Sequence, residues 1–172
     1  MGGAWHLSRR FFGALRPGGP PEVDRAWVED VLSEAEYALW TRQYGPDRRH
    51  TVQVASEVEH RLGSDATRPV LAAALLHDIG KIDADLGTWG RVVATLVSRV
   101  AGRDTTRHWI AKRGFAGRIG RYLHHPEIGA DLLAAAGSAP LTVAWAREHH
   151  TPAEAWTIDL AIGRVLFEVD DD

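Results

Sequence analysis

Val70-Leu71-Ala72-Ala73-Ala74-Leu75-Leu76-His77-Asp78-Ile79-Gly80-Lys81 is the stretch on which the fold turns. Thr67-Arg68-Pro69 ahead of it opens a helix, and apolar side chains then fall on nearly every side of the helical wheel. A helix that is apolar all round belongs in the interior. It is expected to run from Val70 to about Ile79, with Gly80 as its stop. His77 and Asp78, both able to ligate a metal, then sit at the rigid end of the most buried element.

Working outward, helical periodicity dominates on both sides. Val23, Trp27, Val31, Leu32 and Ala35 recur at helical spacing upstream. Gly45-Pro46-Asp47 breaks the chain and offers Asp47 as N-cap to a helix with Val52, Val54, Ala55, Val58 and Leu62, placing His50 in its first turn. Downstream, Thr88 can cap a helix through Val92, Val93, Leu96 and Val97, while 103–113 is polar and expected at the surface. Further helices are expected over 114–122, 126–136, 141 to about 150, and 158–170. No alternating strand pattern, hairpin turn or internal repeat is present in the sequence. The fold class is all-α. Pro17-Gly18-Gly19-Pro20-Pro21 cannot be helical and divides a tail and linker, 1–21, from a single domain over 22–172.

Composition narrows the function. A chain of 172 residues with 45% apolar and 25% charged residues has the make-up of an ordinary soluble domain with a real core. Cysteine is absent, which excludes disulfides, iron–sulfur clusters and thiolate zinc sites. A net charge of -3 gives no sign of a nucleic-acid partner. No run approaches the roughly 18 apolar residues of a membrane span. The basic, aromatic N-terminus, Trp5-His6-Leu7-Ser8-Arg9-Arg10-Phe11-Phe12, lacks a signal peptide's apolar region. It reads as a tail or a packed segment, with an amphipathic surface anchor as the alternative; the expected location is cytoplasmic.

Chemistry concentrates in His50, His77, Asp78, His125, His149, His150 and Asp170. Seven nitrogen and oxygen donors, with two adjacent pairs among them, exceed the needs of one ion and suit two divalent ions. On a regular helix His77 and Asp78 point about 100° apart, so both reach inward only where the helix ends. His124 competes with His125 for one role, and Pro126 fits the first turn of the helix that follows His125. Asp170 heads the acidic end of the chain behind a packed pattern of Ile162, Val165, Leu166 and Val169, with Asp159 as the alternative. His6, His60 and His108 read as ordinary surface or core residues.

These elements fall in a known order. Arg49-His50-Thr51-Val52 comes first, and His77-Asp78-Ile79-Gly80-Lys81 follows 27 residues after His50. His125 stands four residues before Gly129, then come Arg147-Glu148-His149-His150 and the late Asp170. The pattern resembles HD-domain metal-dependent phosphohydrolases of the HDIG subset, which includes cyclic-dinucleotide phosphodiesterases. The resemblance covers about residues 48–172. It implies a compact orthogonal helical bundle and two divalent ions, iron or manganese, bridged by Asp78. One ion would take His50, His77, Asp78 and Asp170; the other Asp78, His125, His149 and His150. It implies hydrolysis of a small-molecule phosphate ester, a nucleotide or cyclic (di)nucleotide. Gly-Tyr-Pro does not follow His149-His150; Thr151-Pro152-Ala153 does, so the cyclic-di-GMP branch's signature is missing. Related scaffolds include di-iron oxygenases, and a non-catalytic nucleotide-binding module is a third alternative.

Charge favours a phosphate. Two divalent ions bring four positive charges, Asp78 and Asp170 return two negative ones, and neutral imidazoles add none. Lys81 and Lys112 are the only lysines among twenty basic residues. Lys81, three residues after Asp78, is expected to meet a phosphoryl oxygen with its compact ammonium. His124 is a general-acid candidate by position.

Overall fold

Leu32 and Ser33 interrupt what the periodicity reads as one helix. Ser33 Oγ accepts from the Glu36 amide and the Glu36 carboxylate accepts from the Ser33 amide, a reciprocal cap that starts a new helix. α1 is therefore Glu22–Val31 and α2 Glu34–Thr41. The structure is a computed structural model and describes residues 18–101 and 103–171. The expectations for 1–17, including His6 and the basic aromatic N-terminus, lie outside the described residues. Among the described residues the architecture is an all-helical bundle with no strand.

α3, Gly45–Leu62, begins two residues before Asp47, so His50 lies in its second turn and not its first. Asp47 does not cap it; the carboxylate instead takes a two-pronged pair from the Arg91 guanidinium at 2.6 Å on each side. α4, Arg68–Leu76, is the central helix, and every residue from Val70 to Leu76 is buried. Fully burying one side chain such as Leu75 or Leu76 stabilises by roughly 1.5–3 kcal/mol. α4 packs against α1, α2, α3 and α9 (Pro140–Glu148). Trp40, Trp145, Leu133 and Leu166 complete the same core. Two polar groups there are satisfied: Trp40 Nε1 donates to Thr51 Oγ1, and Thr142 Oγ1 donates to the Pro69 carbonyl.

α4 ends at Leu76, earlier than expected. Asp78 opens a 3-10 turn, Ile79–Asp83. Gly80 does not stop the helix through a left-handed conformation, because its φ is not positive. It is there for space: a Cβ on Gly80 would stand 2.0 Å from the His125 carbonyl oxygen and 2.6 Å from the Gly129 amide. The backbone of α8, His125–Ala135, thus lies directly on the turn that follows Asp78.

α5 is Thr88–Val100, α6 Arg103–Arg107 and α7 Gly114–Leu123. α5 and α7 pack over a smaller apolar cluster of Ala84, Leu86, Ala94 and Ile119. The 103–113 stretch is not wholly superficial, because Thr106 is buried. After α9 a short 3-10 turn, Ala153–Ala155, leads to α10, Leu160–Asp171, which packs on α3. That packing brings Asp170 beside His50, 120 residues away in sequence. Among the described residues no helix is long and apolar enough to cross a membrane.

Candidate metal centre

Three of the expected donors share one local design. His77 and His149 follow directly on the last residues of α4 and α9, and His125 stands just past the end of α7. The last carbonyls of a helix lack intrahelical partners. His77 Nδ1 donates to the Ala74 carbonyl at 2.9 Å, His125 Nδ1 to Tyr122 at 2.7 Å, and His149 Nδ1 to Ala146 at 3.0 Å. Each is the carbonyl three residues back. A carbonyl only accepts, so all three Nδ1 atoms carry hydrogen, and in the neutral ring the lone pair is on Nε2. Histidines that bind metals are commonly oriented by such a bond from the other ring nitrogen.

The Nε2 atoms of His77, His125 and His149 are buried and none makes a hydrogen bond; nor does Asp78 Oδ1. Yet they crowd together. Asp78 Oδ1 is 3.1 Å from His125 Nε2 and 3.6 Å from His149 Nε2, and Asp78 Oδ2 is 3.5 Å from His77 Nε2. Buried polar atoms are rarely left unpartnered. With His125 and His149 neutral, their Nε2 lone pairs face the Asp78 carboxylate across 3.1 and 3.6 Å and repel it unless a cation stands among them. The donor set fits a divalent metal on this observation.

All seven expected donors come together in two adjoining groups. Asp78, His125, His149 and His150 offer ligand atoms within 4.8 Å of one another, as do His50, His77 and Asp170. His77 Nε2 joins the groups, standing 3.5 Å from both Asp78 and Asp170. Asp78 is the carboxylate between them. His50 Nε2 meets Asp170 Oδ1 at 2.9 Å, so Asp170 is held in the last turn of α10. His77, Asp78, His125 and His149 are buried, His50 and Asp170 half-buried, and His150 exposed. The exposed His150 is packed against His149, with ring centroids 4.0 Å apart. Its loop is pinned by Glu148, whose carboxylate accepts from the Thr157 amide and hydroxyl, and by Trp156 Nε1 donating to the Thr151 carbonyl.

The competing candidates go elsewhere. Asp159 caps α10, accepting from the Ala161 and Ile162 amides. His124 is buried and lies outside both donor groups; its Nε2 bonds the Thr106 hydroxyl at 3.2 Å. His60 and His108 are exposed. Lys81 does not stand out toward solvent. Its ammonium contacts Asp78 Oδ2, with the Tyr122 ring 5.8 Å from Nζ.

Electrostatics follow from this crowding. Burial alone would lower the His77 pKa, but the carboxylates of Asp170 and Asp78 outweigh it and raise it to about 9. Burial would raise Asp78, yet Lys81 and then His77 hold it well below the carboxylate range. Asp170 is likewise held low against its burial by His77 and His50. Burial lowers His125, despite Asp78 beside it. His150 is lowered by partial desolvation, then by His149 and His125. Without metal, both carboxylates therefore stay ionised, and His77 carries a second ring proton, on Nε2, at neutral pH.

Sequence reasoning missed Tyr122, whose carbonyl orients His125 and whose ring faces Lys81, and Arg91, which ties α5 to Asp47. The Ala74 and Ala146 carbonyls carry no side-chain signal; only a His just past a helix end marks them. Comparisons with protein-family models, with curated proteins and with solved structures each return no match for this chain.

Proposed function

We propose that the chain is a metal-dependent phosphohydrolase of the HD-domain type that hydrolyses a small phosphate ester, a nucleotide or cyclic (di)nucleotide, at a dinuclear centre. The observation that carries this reading is the unpartnered set of Asp78 Oδ1 and the Nε2 atoms of His77, His125 and His149, three of them rings whose Nδ1 is already committed. The order of the donors along the chain, with its HDIG resemblance, supports the same class.

His50, His77, Asp78 and Asp170 would hold one ion, and Asp78, His125, His149 and His150 the other. Bound divalent ions, iron or manganese, supply Lewis acidity toward a phosphoryl group and make water acidic enough to act as a nucleophile. The residues do the rest. Five neutral imidazoles and two carboxylates leave such a centre net positive, which draws in an anionic ester and stabilises charge gained in the transition state. The buried His77, His125 and His149 rings exclude water from the inner side of the site. Exposed His150 and half-buried His50 mark the side from which the ester enters.

The test is a panel of phosphomonoesters, phosphodiesters, nucleotides and cyclic dinucleotides with protein loaded with manganese(II) or iron(II). Phosphate-ester hydrolysis that is lost on chelation supports the proposal. Iron-dependent oxygen consumption on a polyol-like compound, without phosphate release, would assign an oxygenase instead. Nucleotide binding without turnover would assign a binding module.

A further inference from the structure

The contact between Lys81 and Asp78 has a local origin. Asp78 is the residue before the 3-10 turn Ile79–Asp83, and the Lys81 amide donates to the Asp78 carbonyl at 3.0 Å. Side chains at i and i+3 of a 3-10 turn eclipse one another, so the turn itself stacks the ammonium over the carboxylate. An α-helix continuing through Ile79 would have set the two at an angle. Both side chains are largely buried, at 17% and 11% exposure. The Tyr122 ring lies near the ammonium, 5.8 Å from centroid to Nζ, where a cation is attracted to the π face. Lys81 is thus packed in place as a counter-ion for Oδ2, while Oδ1 faces the imidazoles with no hydrogen bond.

We propose that Lys81 is a tethered counter-ion that holds Asp78 in position in the metal-free protein and competes with the incoming metal for that carboxylate. This rests on the metal-centre reading above. A buried carboxylate without a partner is costly, so some cation must stand beside Asp78 before any metal arrives. Lys81, in direct contact with Oδ2, is the nearer of the cations there, with His77 Nε2 3.5 Å from the same oxygen. The same charge, in contact with the carboxylate that stands between the two donor groups, then opposes a divalent ion in two ways. It occupies Oδ2, and it repels like charge in a medium that screens poorly. The centre is therefore assembled before metal arrives, at the cost of weaker binding. Metal affinity is set by Lys81 as well as by the ligands.

The two roles pull in opposite directions when the charge is removed, and that makes them separable from packing. Lys81→Gln and Lys81→Met keep much of the side-chain length without the charge. In both, the metal-free protein should melt lower than wild type, and manganese(II), titrated alone and followed by calorimetry, should bind roughly tenfold to a hundredfold tighter. That range is the scale of one charged hydrogen bond converted to affinity. Lys81→Arg keeps a cation at the position and should return both quantities toward wild type. A packing role alone would lower stability and weaken metal binding together, so tighter binding by a less stable protein is the signature.

Unchanged manganese affinity in Lys81→Gln and Lys81→Met would overturn the proposal while leaving the metal centre intact, and so would weaker affinity. If Lys81 only met substrate, neither the melting temperature nor the affinity would move. Absence of manganese binding in wild type and all variants would remove the metal-centre reading itself, and the competition with it.

Discussion

Replacing Gly80 by alanine puts a methyl carbon where α8 already lies. The new Cβ would be 2.0 Å from the His125 carbonyl oxygen and 2.6 Å from the Gly129 amide, while real Cβ contacts essentially never fall below 3.0 Å. The 3-10 turn and α8 must therefore part by about 1 Å. Both obstructing atoms are backbone, so no side chain can rotate to relieve them. Overpacking of this kind costs about 1–3 kcal/mol, and a chain of this length loses about 2–4 °C of melting temperature per kcal/mol. A fall of roughly 2–12 °C is expected. The displacement also separates His125 from Asp78, and metal–ligand distances tolerate only about 0.2 Å, so at least one ion per chain should be lost. Gly129→Ala gives a graded comparison. Its Cβ would meet the Gly80 amide at 3.0 Å and the Ile79 side chain at 3.2 Å, a milder contact that should cost several-fold less. Differential scanning fluorimetry with elemental analysis reads both effects. Wild-type melting and full metal content in Gly80→Ala would refute the close-approach argument, as would a Gly129→Ala protein more damaged than Gly80→Ala.

Further outcomes follow from the same geometry. Asp78→Ala should empty both metal positions and His150→Ala mainly the one it shares with His125 and His149, read as metal per chain after dialysis; Asp78→Ala with full metal content would exclude a bridging role. The metal-free chain should be most stable near pH 6–7. His77, raised to about 9, contributes stability that is complete below its unfolded value of 6.5 and lost as pH climbs toward about 9. His125 and His150, both lowered, take protons only in the unfolded chain below about pH 6.5, so stability also falls on acidification, and Asp78 and Asp170 add to that loss below about pH 4. A pH series of melting curves without the alkaline decline would contradict the His77 assignment. Because His77 holds a proton at pH 7 in the metal-free protein, loading should release it, visible as a dependence of calorimetric heat on buffer ionisation enthalpy. Arg91→Ala should cost about 2–3 kcal/mol by stranding Asp47, and Asp47→Ala/Arg91→Ala should cost less than the sum of the two single changes.

What could be read from the sequence follows from where the information is held. α4 was legible because apolar residues on all sides leave a helix no place but the interior. His77 and Asp78 were legible as a pair that a regular helix would have splayed, and the break at Leu76 is the physical resolution. Gly129, four residues after His125, takes its meaning only from the fold. It lies one turn along α8 and gives the close approach to Gly80. His50 and Asp170 are joined by the packing of α10 on α3, which no local pattern encodes; only the ordered resemblance pairs them. The Ser33 cap was present in the sequence as Ser-x-x-Glu and overrides the apolar periodicity around it. Asp47 had the residue type of an N-cap but sits inside its helix, because Pro46 fits the first turn and Arg91, invisible at that distance in sequence, claims the carboxylate. The carbonyls that orient His77, His125 and His149 have no side-chain signature at all.

The central claim is that Asp78 stands between two metal ions. Metal-free protein, prepared by chelation and dialysis, can be titrated with manganese(II) and the bound metal counted by elemental analysis alongside electron paramagnetic resonance. Two ions per chain are expected, with a spin-coupled signal that reports a shared bridging carboxylate, and with both ions lost in Asp78→Ala. Saturation at one ion per chain, or two uncoupled ions that persist in Asp78→Ala, would contradict it.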